Sequence, residues 1–485
     1  MTLTLQDGWY PIIVFIAYIL VIVLIGGRVL IRKKPIGVTL SWILLIIVLP
    51  VVGVGLYLLF GESYVGFYRA RRAKYAFQRF VETVSTDLQH PLVIPQQFDD
   101  PASPLWDQTF GAMKLPAVRG NSVSLLPDAD SALAQLLHDI DQAVNSIHME
   151  FYICQLGGRV DGIFAALAKA VSRGVDVRVM CDSVGSGQFL RSDALDSLRA
   201  KGIRIEEALH ANLFRVLLRR QDLRMHRKII VVDRWISYTG SMNLVDPVLF
   251  NKDAGVGQWI DLMVRVVGPV SVPMKAILDY DWYMETHEEV SHTALPTKLE
   301  VDPGVPIQMV PSGPAIAKEN LLNLLLTAIY SARTTLDITT PYFVPDDAIL
   351  TALKSAAQRG VKVRIFLPIN NDSFLAKHAG RSFFDELLVS GVHIFPFKKG
   401  LLHTKCVLVD NRVALVGSVN LDMRSIWLNF EITAVISDAM LCQSLASVIQ
   451  GYQLVSDKLD LQRWRSRSLA RRILENATRL LSPLL

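Results

Sequence analysis

The octet His226-Arg-Lys-Ile-Ile-Val-Val-Asp233 occurs a second time, 177 residues later, as His403-Thr-Lys-Cys-Val-Leu-Val-Asp410. A Gly-Ser-x-Asn turn follows each copy at the same distance and ends at Asn243 in the first and Asn420 in the second. One short motif of this kind is weak evidence, because it also arises by chance. Two copies in register indicate a duplicated fold with one His-Lys-Asp set in each half.

Alternation within the first octet indicates which side chains share a pocket. Successive side chains of a β-strand point to opposite faces, so His226 and Lys228 project together and Asp233, at an odd offset, points the other way. The run of β-branched residues between Lys228 and Asp233 favours a strand, and the residues after it favour a turn. Asp233 is therefore predicted to serve the fold, whereas His226 and Lys228 are candidates for chemistry.

The second octet has the same parity. His403 and Lys405 fall on one face of the predicted strand, and Cys406 and Asp410 fall on the other. We therefore predict that Asp410 serves the fold and that Cys406 has no catalytic part. The four cysteines of the chain show no paired spacing of the metal-binding or redox kind.

The similarity of the two halves extends beyond the octets. Ser172-Arg-Gly-Val-Asp-Val-Arg-Val179 corresponds to Gln358-Arg-Gly-Val-Lys-Val-Arg-Ile365. An Ala-rich helical stretch precedes each segment, at residues 163–171 and 349–357, and a short apolar strand precedes each helix. Strand, helix and strand in this order predict parallel strands covered by helices. The predicted fold class is therefore α/β, with two similar half-domains that share one site.

The N-terminus differs from the rest of the chain in composition. Residues 8–27 and 35–61 contain no charged residue, and each stretch is long enough to cross a bilayer core of about 30 Å as a helix. A two-helix transmembrane hairpin is predicted over residues 1–62, with helices at about 9–27 and 37–60. Equal numbers of basic residues flank the two sides, so the side of the membrane that the large domain faces stays open.

The remaining boundaries follow from composition. Residues 63–110 are predicted to be a basic juxtamembrane segment and a linker, followed by the half-domains at 111–290 and 300–485. A polar joint with several prolines connects the half-domains. The C-terminal stretch, residues 461–485, mixes arginines with leucines and predicts an amphipathic helix. Whether that helix lies on the membrane or docks on the protein stays open.

The duplicated motif resembles the phospholipase D superfamily, in which two such motifs form one active site. The N-terminal apolar segments, Gln258-Trp-Ile-Asp261 and the segment from Asn420 to Glu431 are similar to the membrane-anchored bacterial cardiolipin synthases of that superfamily. The likeness covers essentially the whole chain. It implies that a downstream carboxylate orients each histidine, namely Asp261, 35 residues after His226, and Glu431, 28 residues after His403.

The resemblance also implies a two-step transfer at phosphorus. One histidine attacks phosphorus to form a phosphohistidine, and the other protonates the departing glycerol and later deprotonates the acceptor. By resemblance His226 is the nucleophile and His403 the acid and base, although the near symmetry of the motifs leaves the reverse order open. The two lysines, Asn243 and Asn420 are expected to stabilise charge on the phosphate oxygens. No metal or other cofactor is expected.

The implied reaction converts two phosphatidylglycerol molecules into cardiolipin and glycerol, in a multi-pass protein of the bacterial inner membrane. Arg219, Arg220 and Arg224, before the first octet, are expected to contact lipid headgroups. Nucleic acid is not expected as a partner, and the oligomeric state stays open. A phospholipase D-type hydrolase is the nearest alternative, followed by a membrane-bound nuclease. A catalytically inactive lipid-binding scaffold is disfavoured because both motifs are intact.

Overall fold

The computed structural model describes residues 9–31, 36–61, 69, 71–73, 75–77, 90–210, 223–288, 304–314, 316 and 319–482. These residues form two compact units. The N-terminal unit contains residues 9–61 of this set, and the main unit contains the others.

The N-terminal unit consists of apolar helices. They are α1 (Trp9–Ile31), α2 (Ile36–Val48), α3 (Pro50–Leu56) and a π-helical turn (Tyr57–Gly61). Val29, Ile46 and Tyr57 form a small buried cluster between them. Among the described residues, one helix is long and apolar enough to cross a membrane, and it covers Ile12–Ile31.

The second apolar segment differs from the prediction. One helix over residues 37–60 was expected, whereas the structure interrupts the helix at Leu49, with φ −130° and ψ 72°. Pro50 is the cause, because proline lacks an N–H and its ring disfavours the helical conformation of the preceding residue. The first helix runs to Ile31, four residues beyond its predicted end.

The main unit is built on one sheet of 14 strands, and four short strands form two further sheets of two strands each. The strands of the first half, including the short β7, are β1 (Val118–Leu126), β2 (Ser146–Phe151), β3 (Asp176–Asp182), β4 (Arg204–Ala208), β5 (Lys228–Val232), β6 (Ile236–Gly240), β7 (Trp259–Ile260) and β8 (Met263–Val267). Those of the second half are β9 (Val305–Ser312), β10 (Thr335–Thr339), β11 (Phe343–Val344), β12 (Lys362–Pro368), β13 (His393–Phe397), β14 (Leu401–Leu402), β15 (Cys406–Val409), β16 (Val413–Gly417), β17 (Leu421–Asp422) and β18 (Glu431–Ile436).

Helices cover this sheet. Helix α4 (Ser103–Met113) comes first in the chain, and the helices of the first half are α5 (Ala129–Gln142), α6 (Arg159–Ser172), α7 (Gly187–Leu190), α8 (Asp193–Ala200) and α9 (Ser271–Thr286). In the second half they are α10 (Asn320–Ser331), α11 (Asp347–Gln358), α12 (Phe374–Ser382), α13 (Phe384–Val389), α14 (Met423–Trp427), α15 (Ala439–Leu454), α16 (Leu461–Arg465) and α17 (Leu469–Arg479).

The strand order shows the duplication directly. The sheet runs β13-β12-β10-β15-β16-β18-β9-β1-β8-β6-β5-β2-β3-β4, so corresponding strands lie at equal distances from the middle. The predicted strand-helix-strand units are confirmed, because β2 is parallel to β3 and β10 is parallel to β12. The strands after the two octet turns, β6 and β16, pair antiparallel with β5 and β15. The α/β prediction with two similar halves therefore holds.

The linker boundary differs from the prediction, and the two halves are joined through the sheet. β1 pairs with β9, so the two halves share one continuous sheet. The linker boundary at residue 110 falls inside α4, whose Leu105 and Trp106 are buried in the core of the second half. Pro104 lies in the first turn of α4, where proline favours a helix start, so its presence did not indicate a linker. Most of the predicted joint, residues 289–303, lies outside the described residues.

Candidate active site

Two backbone contacts between the halves bring each histidine beside a segment of the other half. β14 pairs in parallel with β7, and the His403 N–H donates to the Ile260 carbonyl at 2.9 Å. The equivalent contact joins Met225 to Phe430, where the His226 N–H donates to the Phe430 carbonyl at 2.9 Å. The residue after Ile260 is Asp261, and the residue after Phe430 is Glu431. Each histidine therefore lies next to the carboxylate of the opposite half.

Both histidines contact these carboxylates through Nδ1. His226 Nδ1 lies 2.8 Å from Glu431 Oε2, and His403 Nδ1 lies 2.6 Å from Asp261 Oδ1. Both carboxylates named from the sequence contact a histidine, but the predicted pairing within each half is wrong. The partners are exchanged because the strand ends that carry them pair across the boundary between the halves.

A serine from each Gly-Ser-x-Asn turn holds the carboxylates in turn. Ser241 Oγ donates to Asp261 Oδ1 at 2.6 Å, and Ser418 Oγ donates to Glu431 Oε2. The preceding glycine permits this approach, since a Cβ at Gly240 would lie 2.4 Å from the Leu262 carbonyl oxygen. From the sequence only the asparagine of this turn was expected to have a role, although the serine recurs in both copies.

Burial decides the protonation of the histidines. It lowers the pKa of His226 to about 4 and that of His403 to about 3, against the opposing effect of the neighbouring carboxylates. Burial alone would raise the pKa of Glu431 and Asp261, but the paired histidine and the nearby lysines lower it below the ordinary value. A neutral imidazole that donates Nδ1–H to an ionised carboxylate keeps its lone pair on Nε2. Both Nε2 atoms are thus prepared to attack or to accept a proton.

The two lysines link the halves electrostatically. Lys228 Nζ and Lys405 Nζ each donate at 2.7 Å to the carbonyl of the histidine two residues earlier. Burial lowers the pKa of Lys228 to about 8 and that of Lys405 to about 7. Lys405 also contributes to the low pKa of His226, and Lys228 to that of His403. The four side chains therefore form one site rather than two separate ones.

Two aromatic rings contact the histidines and were not singled out from the sequence. The ring centroid of Tyr152 lies 5.0 Å from that of His226, and Trp259 lies 4.2 Å from His403. Trp259 belongs to the Gln-Trp-Ile-Asp segment, so its place next to Asp261 was a usable signal. Tyr152 directly follows β2 and belongs to no repeated motif, which left it without a signal.

The two asparagines are both buried but have different partners. Asn243 Oδ1 accepts from the Ile153 N–H at 3.2 Å, and its Nδ2 has no hydrogen-bond partner among the described residues. The Asn420 side chain instead bonds the carboxyl of Asp422, whose pKa burial raises to about 6. A buried donor without a partner is unfavourable unless a ligand or water accepts from it. Asn243 therefore has an amide donor available to a ligand or to water.

The aspartates of the octets lie at turns. The Asp233 carboxylate accepts from the N–H groups of residues 144, 145 and 146 at 2.6–2.9 Å, and Asp410 accepts from those of residues 333, 334 and 335 at 2.7–2.9 Å. Their φ angles are 50° and 51°, which aspartate tolerates better than most residues. These contacts support the predicted role in the fold. Cys406 Sγ lies 3.2 Å from Thr339 Oγ1.

Asp233→Asn and Asp410→Asn are accordingly expected to lower stability without removing activity from the folded protein. Asparagine also tolerates the left-handed backbone, so the substitution isolates the carboxylate, and the loss should be about 1–3 kcal/mol. Thermal unfolding and rate are measured on the same preparations, with Asp253→Asn, at an exposed position, as the control. A variant of full stability that has lost its activity would contradict the assignment.

Of the arginines expected at headgroups, Arg219 and Arg220 lie outside the described residues. The Arg224 carbonyl accepts from the Phe430 N–H at 2.9 Å, so this residue takes part in the contact between the halves. Arg227, inside the octet, is fully buried, pairs with Asp281 and donates to the Glu431 carbonyl at 3.1 Å. In the part of the chain that the structure describes, no group of three or more His, Cys, Asp or Glu could hold a metal ion.

Comparison with known proteins identifies the family of the chain. A family model described as cardiolipin synthase, PLD-like domain, matches residues 136–253 and 325–452. Cardiolipin synthase A of Proteus mirabilis (strain HI4320) is 44% identical over 98% of this chain and 99% of its own length. Cardiolipin synthase A of Serratia proteamaculans (strain 568) is also 44% identical, over 96% and 97%.

A solved structure shows the same fold. The phosphatidylserine synthase of Haemophilus influenzae Rd KW20 has a TM-score of 0.58 and 13% identity, and the match covers 79% of this chain and 100% of that one. At this identity the likeness concerns the fold alone. The family model and the near full-length relatives show that the chain belongs to the cardiolipin synthase family, with a duplicated PLD-like domain.

Proposed function

We propose that the protein is a membrane-bound phosphatidyltransferase that moves a phosphatidyl group from one phosphatidylglycerol to a second, giving cardiolipin and glycerol. Membership of the cardiolipin synthase family supports this reaction. The observation that carries the chemistry is the buried pair of neutral histidines, each held at Nδ1 by a carboxylate of the other half. Such a pair supplies both a nucleophile and a proton-transfer group.

In the first step, His226 Nε2 attacks the phosphorus of the donor lipid. The bond from phosphorus to the glycerol oxygen breaks, and a phosphohistidine forms. The departing oxygen takes a proton from His403 Nε2, which must be protonated while the donor is bound. The donor phosphate brings a negative charge into the site, and this charge favours the imidazolium form. The order of the two histidines follows the resemblance to the superfamily.

In the second step, His403 Nε2 removes the proton of the acceptor hydroxyl. The acceptor oxygen attacks phosphorus, and the bond to His226 breaks. Lys228, Lys405 and the free amide donor of Asn243 can hold the non-bridging oxygens while negative charge develops on them. Glu431 and Asp261 keep the histidines in one tautomer through both steps.

Transfer to a lipid hydroxyl rather than to water is supported by the enclosure of the site. His226 is 7% exposed and His403 is 3% exposed. The Tyr152 ring contacts the imidazole of His226, and the Trp259 ring contacts that of His403. A site that excludes water protects a reactive phosphohistidine from hydrolysis.

Membrane attachment belongs to the same proposal. We place α1 across the bacterial inner membrane and the second apolar segment beside it as the other arm of a hairpin. Tyr18 Oη donates to the Ile47 carbonyl at 3.2 Å, and Trp42 contacts Tyr57 edge to face at 5.4 Å, which supports helices that associate within the N-terminal unit. The two half-domains, whose bounds rest on the internal repeat, would follow the hairpin in the chain.

A product analysis tests the reaction. Purified full-length protein is given radiolabelled phosphatidylglycerol alone, and cardiolipin, phosphatidic acid and free glycerol are measured. Equal amounts of cardiolipin and glycerol are expected. Phosphatidic acid as the sole lipid product would identify a hydrolase and contradict the transfer reaction.

The pH dependence should reveal the buried lysines. We expect kcat/KM to fall as the pH rises through about 7 to 8, because Lys405, with a pKa of about 7, and Lys228, with a pKa of about 8, carry their charge only below those values. An ordinary lysine titrates near about 10.4. Protonation of His226 itself should cost no activity near about 6.5, since this histidine stays neutral down to a pKa of about 4. A profile that stays level to about pH 9.5 would contradict the lysine assignment.

A further inference from the structure

The second half contains a cavity of about 480 Å³ that no residue of the candidate active site lines. It lies among the ends of β12 and β13, α12, and the C-terminal helices α16 and α17. Seven basic side chains line it, against two acidic ones. Phe343, Phe384 and Trp464 add apolar surface. Its size falls in the range of small-ligand sites, and its charge selects an anion.

Several of these cations have no counter-ion. Arg381 and Arg467 share the one carboxylate of Glu475, at 2.8 and 3.1 Å. Lys377, Arg463 and Arg471 also line the cavity; within the described ranges, none of these three side chains forms a salt bridge. Burial lowers the pKa of Lys377, and the nearby charges of Arg381 and Arg471 lower it further. Like charges held together in this way are unfavourable unless an anion binds among them.

Trp464 orders two of the guanidinium groups. Arg467 Cζ lies 3.5 Å from the centroid of the Trp464 ring, and Arg381 Cζ lies 4.8 Å from the same centroid. Trp464 is itself buried and contacts Phe384, with ring centroids 5.2 Å apart. A stacked guanidinium group keeps its donors in a fixed plane, which suits the oxygens of a phosphate. Arg381 and Arg467 are thus ordered at the wall of the cavity, whereas Arg463 and Arg471 are exposed at its mouth.

The adjacent helix α17 faces the protein with its polar side. Glu475 and Thr478 are buried, whereas Leu469 is 69%, Ile473 59% and Leu480 81% exposed. These three positions lie on one face of a helix, at spacings of four and seven. The predicted C-terminal amphipathic helix therefore docks on the protein and also presents an apolar face outward. Outward apolar faces flanked by basic residues are typical of helices at a lipid surface.

α12 extends this apolar surface. It packs against α17, and its Phe374 is 59% exposed. Lys377, on the same helix, lines the cavity. The apolar surface and the cation cluster therefore share both helices, as a lipid with a charged headgroup and apolar chains requires.

We propose that this cavity binds the phosphate of an anionic membrane phospholipid, with the apolar face of α17 in the adjoining layer of acyl chains. It is a second lipid site, distinct from the one where phosphatidyl transfer takes place. A lipid is favoured over a free phosphate because a soluble anion gains nothing from the exposed apolar face. Binding at this site can be measured without turnover, so the proposal stands or falls independently of the reaction.

The first test uses the full-length protein in neutral-detergent micelles with labelled phosphatidic acid, which lacks the headgroup glycerol that the proposed reaction displaces. Lys377→Gln/Arg471→Gln is expected to weaken binding about 10- to 30-fold, from about 1 kcal/mol per basic residue. Lys169→Gln/Lys201→Gln removes the same charge from exposed lysines of the first half and should leave binding nearly unchanged. Unchanged thermal unfolding of both variants shows that the fold persists.

The second test concerns the apolar face. Ile473→Ser/Leu480→Ser should weaken phosphatidic acid binding, and the matched Met440→Ser/Leu454→Ser, at exposed positions of α15, should not. Inorganic phosphate, used as a competitor at the same concentration, should displace little lipid. Three results would each overturn the proposal. The first is an equal loss of lipid binding in the two charge variants, and the second is no loss of binding in Lys377→Gln/Arg471→Gln. The third is full displacement of the lipid by inorganic phosphate together with no effect of the apolar variants.

Discussion

Replacement of His403 by asparagine is expected to abolish turnover and to trap a phosphohistidine on His226. The neutral His226 can still attack phosphorus, but the departing glycerol receives no proton and the acceptor has no base. Each lost acid or base contribution lowers the rate about 10²- to 10⁴-fold. The adduct should therefore form slowly and persist. Labelled phosphatidylglycerol, an alkaline quench that preserves the acid-labile P–N bond, and peptide mapping would locate it.

His226→Asn is the matched variant. It lacks the attacking nitrogen, so no adduct is expected, and thermal unfolding establishes that the protein is folded. Label on His403 in His226→Asn, with none on His226 in His403→Asn, would reverse the two roles while leaving the two-step route in place.

Replacement of each carboxylate should have the same kind of effect as replacement of the histidine that it contacts in the other half. Asp261→Asn is expected to behave like His403→Asn and to accumulate adduct, because Asp261 bonds His403 at 2.6 Å. Glu431→Gln is expected to slow adduct formation, because Glu431 bonds His226 at 2.8 Å. Loss of an orienting carboxylate should lower turnover on the order of 10²- to 10⁴-fold. Single-turnover measurement of adduct formation and decay separates the two steps.

The serines provide a milder form of the same experiment. Ser241→Ala and Ser418→Ala each remove one hydrogen bond to a carboxylate, worth about 0.5–1.5 kcal/mol. Ser241→Ala should therefore slow decay of the adduct and Ser418→Ala should slow its formation, both by less than the carboxylate variants do. If each carboxylate served the histidine of its own half, Asp261→Asn would block adduct formation and Glu431→Gln would trap the adduct.

Local patterns explain why much of the fold could be predicted. The strand at β5 and the helix at α6 are visible in alternation and helical periodicity, and duplication confirmed each assignment at a second place. The parity of the octet also separated His226 and Lys228 from Asp233. These features depend on residues that are close in sequence, where backbone geometry leaves few alternatives.

Contacts between distant segments could not be predicted in the same way. His226 and Glu431 are 205 residues apart, and only the pairing of strand ends across the halves brings them together. Their sequence distance favoured a partner in the same half. Tyr152 has no motif, so nothing in the sequence marked its contact with His226. The break at Leu49 did have a signal, Pro50, which the strong hydropathy of the segment outweighed.

The most direct measurement is the position of the phosphoryl group on the wild-type intermediate. Protein quenched during its first turnover with labelled phosphatidylglycerol is digested, and the isomer of phosphohistidine is identified by phosphorus NMR against the two known isomers. Because Nδ1 of His226 is held by Glu431 of the other half, this mechanism predicts one label per chain, on Nε2 of His226. Phosphorus on Nδ1, or no phosphohistidine during a productive turnover, would contradict it.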